Sequence, residues 1–92
     1  MPKDLNIKRY YKILKGVYLK KYEIEIKRHA FIRAIKRGVD PDMIEATILG
    51  GKIRRFGKQN VKFIKEYKRF HVICVGQIEG LKIKILTVET RK

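Results

Sequence analysis

Serine and tryptophan are absent from these 92 residues, and cysteine occurs once. Without serine there is no hydroxyl nucleophile of the serine-hydrolase kind. A single thiol, Cys74, makes no internal disulfide and supplies too few thiolates for a zinc finger. No apolar run approaches the roughly 18 residues that a membrane-spanning helix needs. The first 30 residues carry charge throughout, unlike the apolar centre of a secretory leader. Acidic residues are scarce too: 9 Asp and Glu stand against 24 Lys and Arg, a net charge of +15. What remains is a soluble, cationic chain suited to the reducing cytoplasm, and its 45% apolar content fits one modest core.

So strong a cationic excess points to a polyanion, with RNA, DNA, an anionic surface or an acidic protein as the classes to separate. Residues 1–49 hold 12 basic and 6 acidic residues, whereas residues 50–92 hold 12 basic and 3 acidic. The excess is densest over residues 52–69, where Lys52, Arg54, Arg55, Lys58, Lys62, Lys65, Lys68 and Arg69 face Glu66 alone. Enrichment in Lys, Glu and Ile is also the mark of a heat-adapted surface. Ion-pair networks need roughly matched acids, however, so heat adaptation does not account for the imbalance.

Ile7, Tyr10, Tyr11 and Leu14 recur at helical spacing after Asp4, which predicts an N-terminal helix stopped at Gly16. From Val17 the period becomes two, with Tyr22, Ile24 and Ile26 alternating with charge, which predicts a strand over 17–27. One long helix through Lys27 is the rival reading. Residues 28–37 return to helical spacing, with Phe31, Ile32, Ala34 and Ile35 on one side. Gly38 then closes that helix, Asp40 caps the next, Pro41 takes its first position and Val39 can staple onto Ile44. The second helix covers 41–49 and stops at Gly50 and Gly51. Strands follow over 52–56, 61–67, 70–78 and 81–89, the third apolar on both faces and therefore central. Glu79 and Gly80 form the last hairpin turn. The expected order, α β α α β β β β, describes an α+β fold with short helices on one face of a curved, mainly antiparallel sheet. Residues 1–16 would be a helical extension, and residues 17–92 one domain.

His29, Arg33 and Arg37 stand at i, i+4 and i+8, a cationic stripe with an imidazole at one end. Guanidinium groups grip phosphate oxygens and an imidazole moves protons near neutral pH, so the stripe suits a phosphodiester. It also suits an ordinary solvated helix face. His71, in the central strand, is either a second proton-transfer group or a histidine held by its surroundings. Glu89 is either a base or the neutralising partner of a lysine. The five tyrosines, Tyr10, Tyr11, Tyr18, Tyr22 and Tyr67, offer stacking surfaces or close the core. Tyr67 is the best candidate, because Lys65, Lys68 and Arg69 flank it. No spacing of ligand residues signals a metal, and no cofactor is expected.

The run from His29 to Val39, with Arg33, Arg37 and Gly38 in it, continues through Asp40-Pro41-Asp42-Met43-Ile44, Gly51-Lys52-Ile53 and Leu86-Thr87-Val88. It resembles a small uncharacterised family with a His-Ala-x-x-Arg-x-x-x-Arg-Gly motif, and the resemblance covers about residues 22–90. That family is similar in expected fold to the RelE/ParE toxins, which include metal-independent endoribonucleases and gyrase poisons. The resemblance implies a toxin-like domain of a toxin-antitoxin system, directed at RNA or the ribosome and restrained by an acidic antitoxin. By position, His29, Arg33 and Arg37 match the family's spaced residues. The C-terminal catalytic basic and tyrosine set of the ribosome-dependent toxins has no match, and Arg91 is merely close to its place.

These readings give three function classes. In the first the protein is a metal-independent endoribonuclease, with His29, Arg33, Arg37 and His71 at the reacting phosphate and Lys52, Arg54, Arg55, Lys62, Lys65, Tyr67, Arg69 and Arg91 on the RNA. In the second, a non-catalytic RNA- or ribosome-binding module, the same residues only neutralise phosphates. An effector aimed at an acidic protein is a third reading.

Overall fold

The computed structural model describes residues 4–14 and 17–92, with side-chain placement from Tyr22 onward. Strands β1 (Asp4–Leu14) and β2 (Val17–Lys27) are followed by helices α1 (Arg28–Lys36) and α2 (Pro41–Gly50). Strands β3 (Lys52–Phe56), β4 (Asn60–Glu66), β5 (His71–Glu79) and β6 (Lys82–Arg91) complete an α+β fold. The sheet order is β1-β2-β6-β5-β4-β3. Every neighbouring pair is antiparallel except β2 with β6, so the sheet is mixed and mainly antiparallel.

The N-terminal segment corrects the sequence reading, since Asp4–Leu14 is a strand and not a helix. Ile7 pairs with Ile24, but the next register position is Tyr10 with Tyr22, so β1 carries one extra residue between them. A bulge of this kind turns a two-residue period into a three-residue one, which imitates helical spacing. The expected helix stop at Gly16 lies outside the described residues, as do the side chains of Tyr10, Tyr11 and Tyr18.

The helical hairpin forms as its sequence dictates. Gly38, at φ +84°, follows α1 in the left-handed region, its N–H donating to Ile35 O while the Val39 N–H reaches Ala34 O. That pair of bonds satisfies the carbonyls of the last turn. Asp40 Oδ1 accepts from the Met43 N–H at 2.8 Å, Pro41 opens α2, and Val39 is buried in the same core cluster as Ile44. The buried face of α1 differs from expectation: Ala30 and Ala34 are fully buried, whereas Ile32 and Ile35 are exposed. Two alanines one turn apart let the helix backbone lie close against the sheet, and larger side chains turn outward.

Both helices pack on one face of the sheet. On that face Tyr22, Ile24, Ile26, Val61, Phe63, Val72, Cys74, Ile83, Ile85 and Val88 form one core with Ile44 and Ile48. The opposite face carries no helix. There the cross-strand register lines up Lys52, Ile64, Ile73 and Glu89 in one row, and Arg54, Lys62, Val75 and Thr87 in the next. Strand β5 is central, as its two apolar faces predict. The buried Tyr22 hydroxyl has no hydrogen-bond partner among the described residues; burial raises it above the ordinary tyrosine range, and Arg55 pulls it the other way.

Burial pushes the Cys74 thiol up to about 12. Between the unfolded value of 9.0 and that figure the unfolded chain loses the proton and the folded chain keeps it, so stability is lost as pH rises through this window. An alkaline denaturation series should show wild type losing on the order of 1.4 kcal/mol per pH unit more than Cys74→Ala. The native thiol should also resist thiol reagents until the chain unfolds.

Candidate functional site

Where α1 runs beside the end of β6, His29, Arg33 and Arg37 line a cleft of about 100 Å³ with Ala30, Leu86, Thr87, Val88 and Glu89. β2 pairs with β6 only as far as Ile85, because the chain leaves β2 at Lys27 to form α1. Beyond Ile85 the outer edge of β6 faces α1, and Arg37 Nη1 donates to the Val88 carbonyl at 3.1 Å. That bond holds the guanidinium at the cleft wall and satisfies a carbonyl at a strand edge. His29 and Arg33 remain exposed. The stripe read from helical spacing is therefore one assembled surface, and Glu89 joins it from the far end of the chain.

A larger cleft, of about 350 Å³, opens at the other side of the sheet, where α2 delivers the chain into β3. Gly50, Gly51, Lys52, Arg54, Ile64, Lys65, Glu66 and His71 line it. Lys52, Arg54, Glu66 and His71 come from the helix-free face of three adjacent strands, while Lys65 reaches toward the C-terminal end of α2. Carbonyl groups at that helix end favour a cation. His71 Nε2 stands 3.8 Å from Glu66 Oε1. The two histidines thus line different clefts, and neither cleft holds both as an acid–base pair.

Other sequence-predicted residues have separate places. Arg55 points away from the helix-free face and donates from Nη2 to the Lys58 carbonyl at 3.1 Å, bracing the β3–β4 turn. Tyr67 is committed to the fold: its hydroxyl donates to Met43 O at 3.1 Å, lies 3.1 Å from Thr47 Oγ1, and its ring meets Phe70 edge-on at 6.3 Å. Lys62 lies over the Phe56 ring, its Nζ 5.1 Å from the centroid. Arg69 is exposed between β4 and β5, and Arg91 pairs across from His71.

Electrostatics divides the sheet. Toward β2 and β6, Lys82 Nζ lies 3.9 Å from Glu23 and 3.8 Å from Glu25, Lys27 lies 3.6 Å from Glu25, and Lys84 lies 3.4 Å from Glu79. Half-exposed pairs of this kind add little stability, but they cancel charge. Toward β3 and β4, Lys52, Arg54, Lys62 and Lys65 have no carboxylate partner among the described residues. Lys52, Arg54 and Lys65 share the larger cleft with Glu66, and Lys62 lies beside Arg54 on the helix-free face. Sequence reading missed two features of this region, the close passage of Gly51 and the exposed Phe56, although the Gly50-Gly51 pair signals the first.

Among the described residues no three His, Cys, Asp or Glu side chains gather as a metal-ligand set, and no helix is long and apolar enough to cross a membrane. Comparison with protein-family models, curated proteins and solved structures finds no match to this chain.

Proposed function

We propose that this protein binds RNA through its phosphate backbone, as a toxin-like domain similar to the RelE/ParE fold and acting on cytoplasmic RNA or the ribosome. The observation that carries this reading is the separation of charge across the sheet: acids pair with lysines on the β2 and β6 side, whereas Lys52, Arg54, Lys62 and Lys65 on the β3 and β4 side have no ion-pair partner among the described residues. A backbone bearing one charge per nucleotide is the ligand that rewards such a patch. An acidic antitoxin-like protein would cover the same cations when activity is restrained.

Fluorescence anisotropy with a labelled RNA, repeated between about 50 and 200 mM salt, tests the reading. Affinity should fall steeply with salt, as counterion release requires. Affinity that does not respond to salt would remove the proposal.

A second reading, RNA cleavage, is favoured by the cleft that gathers His29, Arg33, Arg37 and Glu89. There the guanidinium groups would stabilise charge on phosphorus while His29 transfers the proton during attack by the ribose 2′-hydroxyl. Incubation of ribosomes and mRNA with the protein in EDTA should yield cleavage that His29→Ala reduces by roughly 100-fold or more. Wild-type protein that cuts no more than background would leave binding as the whole activity.

A further inference from the structure

Phe56 is the last residue of the outer strand β3, and register places it on the helix-free face in line with Lys52 and Arg54. The residue is 39% exposed. Lys62, from the adjacent strand, holds its ammonium 5.1 Å from the ring centroid. Alternate residues of a strand stand about 6.8 Å apart, a spacing comparable to that of successive phosphates in an extended single strand.

Lysines and arginines alone would hold the backbone of any nucleic acid, paired or unpaired. An exposed aromatic ring at the end of the same row adds something only for a base whose face is free. In a duplex the base faces are stacked, whereas in a single strand they are open to a ring. The Phe56–Lys62 contact supplies both parts of such a subsite, because the ring can receive the base while the long lysine side chain turns to the neighbouring phosphate.

We infer that β3 is a reader of single-stranded RNA, with Lys52 and Arg54 on successive phosphates, Lys62 beside Arg54 across the β3–β4 pairing and next to the ring, and Phe56 stacked on a base. This rests on the RNA-binding reading above and specifies its substrate class. The partner is identified by charge complementarity along β3 together with the aromatic surface beside it.

The test uses the full chain and two probes, a single-stranded RNA oligonucleotide carrying 2-aminopurine and the same sequence annealed to its complement. Wild-type protein should bind the single strand at least tenfold more tightly than the duplex and quench the 2-aminopurine emission. Phe56→Ala should weaken single-strand binding by roughly 5- to 100-fold, leave the salt slope unchanged and abolish the quenching. Phe56→Leu, which keeps an apolar side chain on the strand, should lose the quenching as well, and Phe56→Tyr should retain it. Equal affinity for the two probes, or undiminished binding and quenching by Phe56→Ala and Phe56→Leu, would overturn the single-strand inference and leave phosphate binding standing. Failure of wild type to bind either probe would overturn both.

Discussion

Gly51→Ala is expected to destabilise the protein by roughly 2–4 kcal/mol, lowering the melting temperature by something on the order of 10–25 °C in a domain of this size. A Cβ at this position would run into the Thr47 carbonyl oxygen and stand 2.6 Å from the Ile64 carbonyl oxygen. Both are main-chain atoms, one in α2 and one in β4, so neither can rotate aside. The Gly51 N–H donates to Thr47 O at 2.9 Å and closes the last turn of α2. Relief of the collision would lift that turn, and with it the buried Thr47 and Ile48, from the strand below. Gly50→Ala is the control, since its Cβ would meet only Lys65 Nζ at 3.8 Å, an ordinary contact. Thermal unfolding should therefore separate two adjacent glycines: a large loss at Gly51, and little change or a small gain at Gly50. Equal melting temperatures for the two variants would refute the close approach of helix and strand.

Replacing Lys52, Arg54 and Lys65 together by glutamine should lower RNA affinity on the order of 100-fold at low salt, at about 1 kcal/mol for each positive charge removed from a phosphate. The dependence of log affinity on log salt should flatten by about 2 units, because each phosphate held on a single strand contributes roughly 0.7. Lys82→Gln with Lys84→Gln makes the informative comparison. Those lysines lie against Glu23, Glu25 and Glu79 on the β2 and β6 side, away from the proposed phosphate contacts, so neutralising them removes no contact and acts only through the screened long-range field. If binding followed the overall charge of +15, the effect per cationic residue would be the same in both variants. Anisotropy titrations at several salt concentrations decide between a local patch and a diffuse cationic surface.

Local signals carried much of the architecture. The Gly38-Val39-Asp40-Pro41 sequence defines the helical hairpin because each residue meets a distinct backbone demand, and all of these demands lie within one turn. Apolar residues on both faces of β5 likewise marked it as central. β1 escaped because the bulge between Ile7 and Tyr10 belongs to its pairing with β2, and a single strand does not display its partner. The inner face of α1 escaped for a related reason: Ala30 and Ala34 are preferred over Ile32 and Ile35 only when a sheet lies close enough to require small residues.

The candidate site shows the same division. Helical periodicity alone brings His29, Arg33 and Arg37 onto one stripe, but it does not reveal that Glu89 and the Val88 carbonyl complete its wall. Nor does it reveal that His71 belongs to another cleft, beside Glu66. By itself the sequence determined that this chain is strongly cationic, that it carries the helical hairpin, and that its second half alternates as strands. Only the tertiary structure decided which basic residues, among those described, keep their charge unmatched. The parallel register of β2 on β6 and the β5–β6 hairpin bring Glu23, Glu25 and Glu79 to Lys82 and Lys84, while among the described residues no carboxylate comes within ion-pair distance of Lys52, Arg54 or Lys62. Coulombic cancellation depends on distance in space, and strand register sets that distance for residues far apart in the chain.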